Sequence, residues 1–176
     1  QQINPHFLFN SLNTLLDLIE EENRDVAVKF VRNFSGLYRV VLQSAKYDFV
    51  SLRDELKCLS DYWDLLKVRF HDAIELNIAI QEEKMNYLIP PLSLQFLIEN
   101  AVKHNEASIR SPLVIEIKEN GDCLEVINRI VQKPFPVQSE KVGLKNLQKR
   151  FTLLFQPVEY GVIDENFIVK LPLKKA

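Results

Sequence analysis

A histidine near the start of an amphipathic helix is the first feature of the sequence that could do chemistry. Asn4 is a favourable helix N-cap and Pro5 a favourable first helical residue, because proline has no N–H to leave unpaired there. His6 is therefore expected in the first helical turn. There the positive end of the helix macrodipole disfavours the imidazolium, so the ring stays neutral, nucleophilic and open to a transferred phosphoryl group.

Asn10 follows His6 by four residues, which places it on the same helical face. Its amide can orient the imidazole ring, a phosphoryl oxygen or a water. Most histidines have no chemical role, so position alone favours a structural explanation of His6. The chemical and structural explanations both stay open at this point.

A second group of polar side chains lies at the end of another predicted helix, residues 92–104. Glu99, Asn100, Lys103 and His104 fall within about a turn and a half of that helix. They offer a carboxylate, an amide oxygen for a hard cation and an ammonium group that attracts phosphate. A solvated helix end is the common explanation of such spacing, so spacing alone does not decide the function.

Two apolar stripes predict a helical hairpin at the start of the chain. Apolar residues recur at spacings of three and four along residues 6–22 and again along 26–42, with a charged connection at 20–25. A two-helix hairpin cannot cover its own apolar stripe, so we expect a homodimer that completes a four-helix bundle. The alternative is that the hairpin packs on the domain that follows it.

The second half of the chain mixes strands with helices. Ser51 and Asp54 form a capping-box pattern ahead of a helix that runs to Phe70, near which the composition changes. The predicted strands are 75–80, 113–118, 123–127, 158–163 and 167–171, and the predicted helices are 92–104 and 143–155. Asn120-Gly121 predicts a hairpin, and residues 129–142 a long loop.

These elements predict an α+β chain with two domains. Residues 1–70 form the helical part, and residues 71–176 form an α/β sandwich with helices on one face of a largely antiparallel sheet. A chain of 176 residues that is 47% hydrophobic is long enough to bury a core.

Composition and charge argue against several classes of function. The net charge of −2 argues against a general nucleic-acid-binding surface. Cys58 and Cys123 have no CxxC spacing and are expected to be free thiols. The three histidines lack zinc-ligand spacing, so a metal or hydrolytic site is the least favoured hypothesis. No segment approaches the ~20 apolar residues that cross a bilayer, and a start without methionine suggests an excised fragment.

The segment Ile3-Asn4-Pro5-His6-Phe7-Leu8-Phe9-Asn10 resembles the phosphoacceptor motif of LytS/YehU-like (LytTR-associated) sensor histidine kinases. His6 is at the phosphorylated position of that motif. In more familiar histidine kinases an acidic residue follows the histidine, whereas Phe7 follows it here. Any base that the reaction needs must therefore come from elsewhere in the chain.

Residues 90–104 are similar to the N box of Bergerat-fold ATPases, which histidine kinases share with gyrase-type topoisomerases and heat-shock chaperones. On this resemblance Asn100 is the Mg2+ ligand, and Lys103 and His104 lie near the triphosphate of ATP. Glu99 is a polar member of the same site. Magnesium relies largely on water and substrate phosphates, so a single Asn can suffice.

The downstream boxes depart from the family pattern. Asn128 takes the place of the acid that hydrogen-bonds adenine, although its amide can still accept from the adenine N6–H and donate to a ring nitrogen. The glycines that normally follow are replaced by residues 129–131. The second glycine box survives as Val142-Gly143-Leu144 ahead of a helix whose N-terminus can cradle phosphate. A single glycine gives this box less backbone freedom than the usual pair.

The resemblance implies an ATP-dependent protein histidine kinase. The ATP-binding domain would transfer the γ-phosphate to His6 of the same or the partner chain, chiefly by positioning and charge neutralisation. The phosphoryl group would then pass to an aspartate of a response regulator of the LytTR type. The chain would be the cytoplasmic domain of an inner-membrane sensor and contact the membrane only through segments outside this sequence. The departures at Asn128, Arg129 and Val142 motivate an alternative, a catalytically degenerate dimeric docking module that lacks or barely retains ATP binding.

Overall fold

A computed structural model describes residues 5–44, 46–131 and 142–176. Its helices are α1 (Pro5–Glu20), α2 (Arg24–Ser44), α3 (Leu52–Phe70), α4 (Ser93–His104) and α5 (Val142–Leu154). Its strands are β1 (Val50–Ser51), β2 (Ile74–Ala79), β3 (Leu88–Ile89), β4 (Leu113–Asn120), β5 (Cys123–Arg129), β6 (Glu159–Ile163) and β7 (Asn166–Pro172). Single turns of 3-10 helix cover His71–Ala73 and Glu82–Lys84.

Every helix and strand that the sequence predicts is present in the structure, with ends that differ by no more than a residue or two. The short strands β1 and β3 were not predicted, because two residues are too few to show a period. The proposed N-cap Asn4 and the central part of the predicted loop, residues 132–141, lie outside the described residues.

The main sheet has the strand order β2-β4-β5-β7-β6. Only β2 and β4 run parallel, so the sheet is largely antiparallel, as predicted. Gly121 occupies the left-handed region, with a φ of 61°, in the turn between β4 and β5, where the Asn-Gly pair predicted a hairpin. One face of the sheet is covered, since α4 packs against β4 and β5. This is the expected sandwich.

The N-terminal helices pack on α3 of the same chain. α2 contacts α3 extensively, and the first turn of α1 also reaches it, with the Phe7 and Tyr62 rings 5.2 Å apart. Phe34 joins this cluster through Phe7, with ring centroids 6.0 Å apart, and through Tyr38, with centroids 4.6 Å apart. α3 in turn packs on α4. A continuous buried core therefore runs from the helical part into the sandwich.

α1 also carries an apolar face that this packing leaves exposed. The exposed large residues of α1 are Phe9, Leu12, Leu16 and Ile19. α2 adds Val28, Val31, Val40 and Leu42. Within the part of the chain that the structure describes, no helix has the length and hydropathy of a membrane span.

Candidate functional site

The polar residues predicted as an N box lie together on the C-terminal half of α4. Glu99, Asn100, Lys103 and His104 are all half-buried. The opposite side of the helix carries the buried residues Leu94, Leu97, Ile98, Ala101 and Val102. The helix is thus amphipathic, and its core packing fixes the direction in which the polar face points.

Glu99 is the one carboxyl among these four residues, and its pKa is shifted from the ordinary value. Burial raises its pKa to about 7, while the Lys103 ammonium lowers it. The Glu99 charge contributes, after burial, to raising the pKa of the Tyr62 hydroxyl on α3, a helix that packs on α4. The Tyr62 ring contacts Phe7 in the first turn of α1. The helix that carries His6 therefore contacts α3, and α3 also packs on α4.

His6 is the second residue of α1, which agrees with the sequence prediction for its backbone. No acidic residue occupies the first turn of α1, so no carboxylate there offsets the positive end of the helix dipole. Asn10 is half-buried one turn further along the helix. The side chain of His6 lies outside the described part of the structure.

Asn128 lies near the C-terminal end of β5 and is only 5% exposed. It stands opposite Ile115 of β4 and Phe167 of β7, and so shares their face of the sheet. Its Nδ2 donates to the Arg129 carbonyl oxygen at 2.9 Å. The amide group predicted to bind adenine thus already makes one hydrogen bond within its own chain.

Gly143 lies in the first turn of α5 and packs tightly against α4. A Cβ atom at this position would meet the Phe96 ring at 2.9 Å. The glycine therefore permits close approach of the two helices, and its φ is not in the left-handed region. Leu144, next to it, is half-buried against the core. The surviving glycine of the second box thus has a packing function besides any contact with phosphate.

Asn105 is a buried polar residue to which sequence reasoning gave no function. Its Nδ2 donates to the Ala101 carbonyl oxygen at 2.9 Å, and its Oδ1 accepts from the Val131 N–H at 2.8 Å. Glu106 adds a backbone bond to the Val131 carbonyl oxygen. These bonds tie the end of α4 to the residues that follow β5. The sequence shows only an Asn directly after a predicted helix, because Val131, the partner of its Oδ1, is 26 residues away.

Glu55 of α3 is a second residue that sequence reasoning missed. It is 3% exposed, and its two carboxylate oxygens accept from the Leu92 N–H and the Leu94 N–H, both at 2.8 Å. Leu92 is the N-cap residue of α4 and makes no side-chain capping bond. Burial raises the pKa of Glu55 to about 7, whereas the Leu94 and Leu92 N–H bonds and the Arg150 guanidinium oppose that rise. Glu55 thus caps α4 from another helix.

The described residues show no group of three His, Cys, Asp or Glu side chains arranged to hold a metal. A magnesium ion at α4 would consequently depend on the Asn100 amide oxygen together with water and phosphate oxygens. A cleft of about 570 Å³ lies elsewhere, between α1, α2 and the C-terminal part of α3, and no residue of α4 lines it.

A helical segment with a histidine in its first turn, followed by a mixed sheet that α4 covers, is a fold that this chain shares with histidine kinases of known structure. The structure is similar to that of the cytoplasmic segment of histidine kinase QseC, with a TM-score of 0.51 and 20% identity. That comparison covers 73% of this chain and 78% of the QseC chain.

Sequence comparisons agree with the fold. The histidine kinase family model matches residues 1–74. The chain is 36% identical over 174 residues to the sensor histidine kinase BtsS of Escherichia coli K12, a match that covers 92% of this chain. It is 31% identical over 170 residues to the sensor protein LytS of Staphylococcus saprophyticus, covering 88% of this chain. The chain belongs to this family of sensor histidine kinases, and the match spans 29% of the length of both relatives.

The raised pKa of Glu99 predicts a pH-dependent stability. Its folded pKa of about 7 exceeds the ordinary 4.5, so the folded state holds the proton more tightly and loses stability as pH rises from 4.5 to 7. Glu99→Gln should remove this pH-dependent contribution to the free energy of unfolding, which has a maximal slope of about 1.4 kcal/mol per pH unit. Urea unfolding at several pH values measures the free energy of unfolding of wild type and Glu99→Gln, and hence the difference between their pH slopes. Glu116→Gln, at an exposed position of β4, is the matched control. Equal slopes for wild type and Glu99→Gln would contradict the prediction.

Proposed function

We propose that the chain is the catalytic core of a sensor histidine kinase that transfers the γ-phosphate of ATP to His6. The observation that carries the proposal is the polar face of α4, which includes Asn100, on a helix that packs on α3; the first turn of α1 contacts the same helix, α3, through Phe7 and Tyr62. The helices that would carry the phosphoryl donor and acceptor sites thus both pack on α3, which supports the proposal. We further propose that the phosphoryl group then passes to an aspartate of a response regulator, of the LytTR type.

The donor set on α4 fits a magnesium nucleotide. The Asn100 amide oxygen would hold Mg2+, which neutralises charge on the phosphates when it is bound. Lys103 and His104, in the last turn of the same helix, would face the triphosphate. Asn128 would recognise the adenine edge with its amide oxygen and its remaining N–H. The N-terminus of α5, at Gly143 and Leu144, would add backbone N–H groups for phosphate.

Glu99 would supply the base that is missing beside His6. A neutral imidazole that accepts a phosphoryl group on one nitrogen becomes positively charged unless the other nitrogen can share its proton. A carboxylate with a pKa of about 7 can accept that hydrogen bond near neutral pH. Its half-buried position on α4 and its raised pKa favour this function for Glu99 over that of a solvated surface charge. Asn10 would orient the ring or a phosphoryl oxygen.

The exposed apolar face of the first two helices supports a homodimer. Phe9 is 65% exposed, and Leu16 and Ile19 on the same side of α1 are also more than half exposed. Pairing two hairpins through this face would bury the stripe in a four-helix bundle. On this proposal residues 1–70 dimerise and present His6, and residues 71–176 bind ATP. The chain would be the cytoplasmic part of an inner-membrane sensor whose membrane segments lie outside this sequence.

A second function is favoured by the site at Asn128. An amide stands where the family has an acid, and one of its N–H groups is already bonded to the Arg129 carbonyl oxygen. A module with this change could have lost ATP binding and act as a dimeric docking partner of a regulator. Nucleotide affinity separates the two functions.

ATP titration by calorimetry tests the proposed site. Wild type should bind Mg-ATP with a free energy of about −8 to −4 kcal/mol. Asn128→Ala should weaken binding, and Asn100→Ala should make binding independent of Mg2+, because the metal ligand is gone. Asn77→Ala, at an exposed position of β2, is the matched control and should bind as wild type does. No heat at millimolar ATP with the wild-type protein would reject the kinase function in favour of the docking module.

The dimer proposal predicts the effect of charge on the exposed face of α1. Leu16→Asp combined with Ile19→Asp should produce a monomer, because association would bury unpaired carboxylates. Sedimentation equilibrium at micromolar concentration measures the mass. Leu153→Asp places the same charge on α5 at a residue that is 85% exposed, and it should leave the dimer intact. A monomeric wild type, or a dimeric double variant, would overturn the proposal.

A further inference from the structure

Arg150 is a half-buried cation of α5 that the proposed reaction does not use. Its Nη1 donates to the Pro91 carbonyl oxygen at 2.8 Å. Pro91 immediately precedes Leu92, whose N–H is bonded to Glu55. The Arg150 charge also acts on the Glu55 carboxyl and on Asp48, in the connection between α2 and α3. Arg150 thus joins α5 to the start of α4 at the point where α3 caps it.

α5 has a second attachment to α4 at its other end. Gly143 lies against the Phe96 ring so closely that a Cβ atom would be at 2.9 Å. Positions 143 and 150 are seven residues apart and so lie on nearly the same face of α5. That face is therefore held against Phe96 of α4 at one end of a span of about 10 Å and against Pro91, just before α4, at the other. The two contacts together fix where α5 begins relative to the polar face of α4.

We propose that Arg150 is a positioning residue for nucleotide binding: its bond to Pro91 holds the N-terminus of α5 at the distance from Asn100 that a triphosphate requires. The inference rests on the proposed ATP site. The effect of the Arg150 charge on the buried Glu55 carboxyl supports it, because that carboxyl caps α4 from α3 beside the Pro91 carbonyl that Arg150 bonds.

The guanidinium group suits this function better than an ammonium group would. Arginine presents several N–H donors in a planar fork, so one donor can bond the Pro91 carbonyl oxygen while the charge still acts on Glu55. Lysine keeps the charge but lacks this fixed geometry. A substitution by lysine therefore separates positioning from charge, and a substitution by methionine removes both.

Two measurements on Arg150→Met and Arg150→Lys test the inference. Arg150→Met should raise the Kd for Mg-ATP about tenfold, the effect of losing one charge-assisted hydrogen bond, and Arg150→Lys should fall between it and wild type. Hydrogen exchange without nucleotide should be faster in residues 142–154 of Arg150→Met, while residues 97–104 keep wild-type protection. Lys149→Met, at the exposed neighbouring position, is the matched control and should change neither.

The outcomes separate this inference from the proposed function. Wild-type ATP affinity in Arg150→Met would overturn the inference and leave the ATP site standing, even if α5 exchanged faster. Unchanged exchange in α5 would also overturn it, because Arg150 would then not hold that helix. A wild-type protein that does not bind Mg-ATP would reject the proposed function and the positioning of nucleotide together.

Discussion

The cap that Glu55 provides for α4 is the interaction on which the rest of the site depends. The first N–H groups of a helix have no partner within the helix, and Leu92, the N-cap residue of α4, makes no side-chain capping bond. Glu55 satisfies two of these groups from α3. A cap is typically worth about 0.5–2 kcal/mol, and an unpaired buried carboxylate would cost several. The N–H bonds and Arg150 together make this buried acid tolerable.

This cap gives α3 a central place in the molecule. One end of α3 fixes the start of α4 through Glu55, and its middle contacts the first turn of α1 through Tyr62 and Phe7. The helix bearing His6 and the helix bearing Asn100 therefore both pack on α3. Any displacement of α1 along α3 would change the distance between the two groups that the proposed reaction must bring together. The packing of α3 therefore matters for the proposed reaction as well as for stability.

Local pattern predicted most of the fold, because the helices and longer strands carry periods of 3.6 and 2 residues over several turns or alternations. It did not reveal the parallel pairing of β2 with β4, since the period of a strand does not specify its partner. The bonds of Glu55 and Asn105 were missed for a related reason. Glu55 accepts from the Leu92 N–H, 37 residues away, and Asn105 accepts from the Val131 N–H, 26 residues away. Only the tertiary structure brings these residues together.

The candidate site, too, was predicted only in part from local spacing. The position of His6 in a first helical turn and the clustering of Glu99 with Lys103 followed from spacing. The functions assigned to His6 and Asn100 came from resemblance to a family, because an Asn or a His has no unique chemistry by itself. Gly143 shows the limit of both approaches. The resemblance suggested a helix N-terminus that cradles phosphate at Gly143, and the structure adds a close contact with Phe96 that neither approach predicted.

Phosphorylation of His6 is tested most directly by incubating the protein with Mg-ATP labelled at the γ-phosphate. The label should be acid-labile, as a phosphoramidate is, and should be located by mass spectrometry at neutral pH in the peptide that contains His6. We predict label on the wild-type chain and none on His6→Gln, which should still bind ATP. A wild-type chain that binds Mg-ATP but acquires no acid-labile phosphate would contradict the assignment of His6 as the phosphoacceptor.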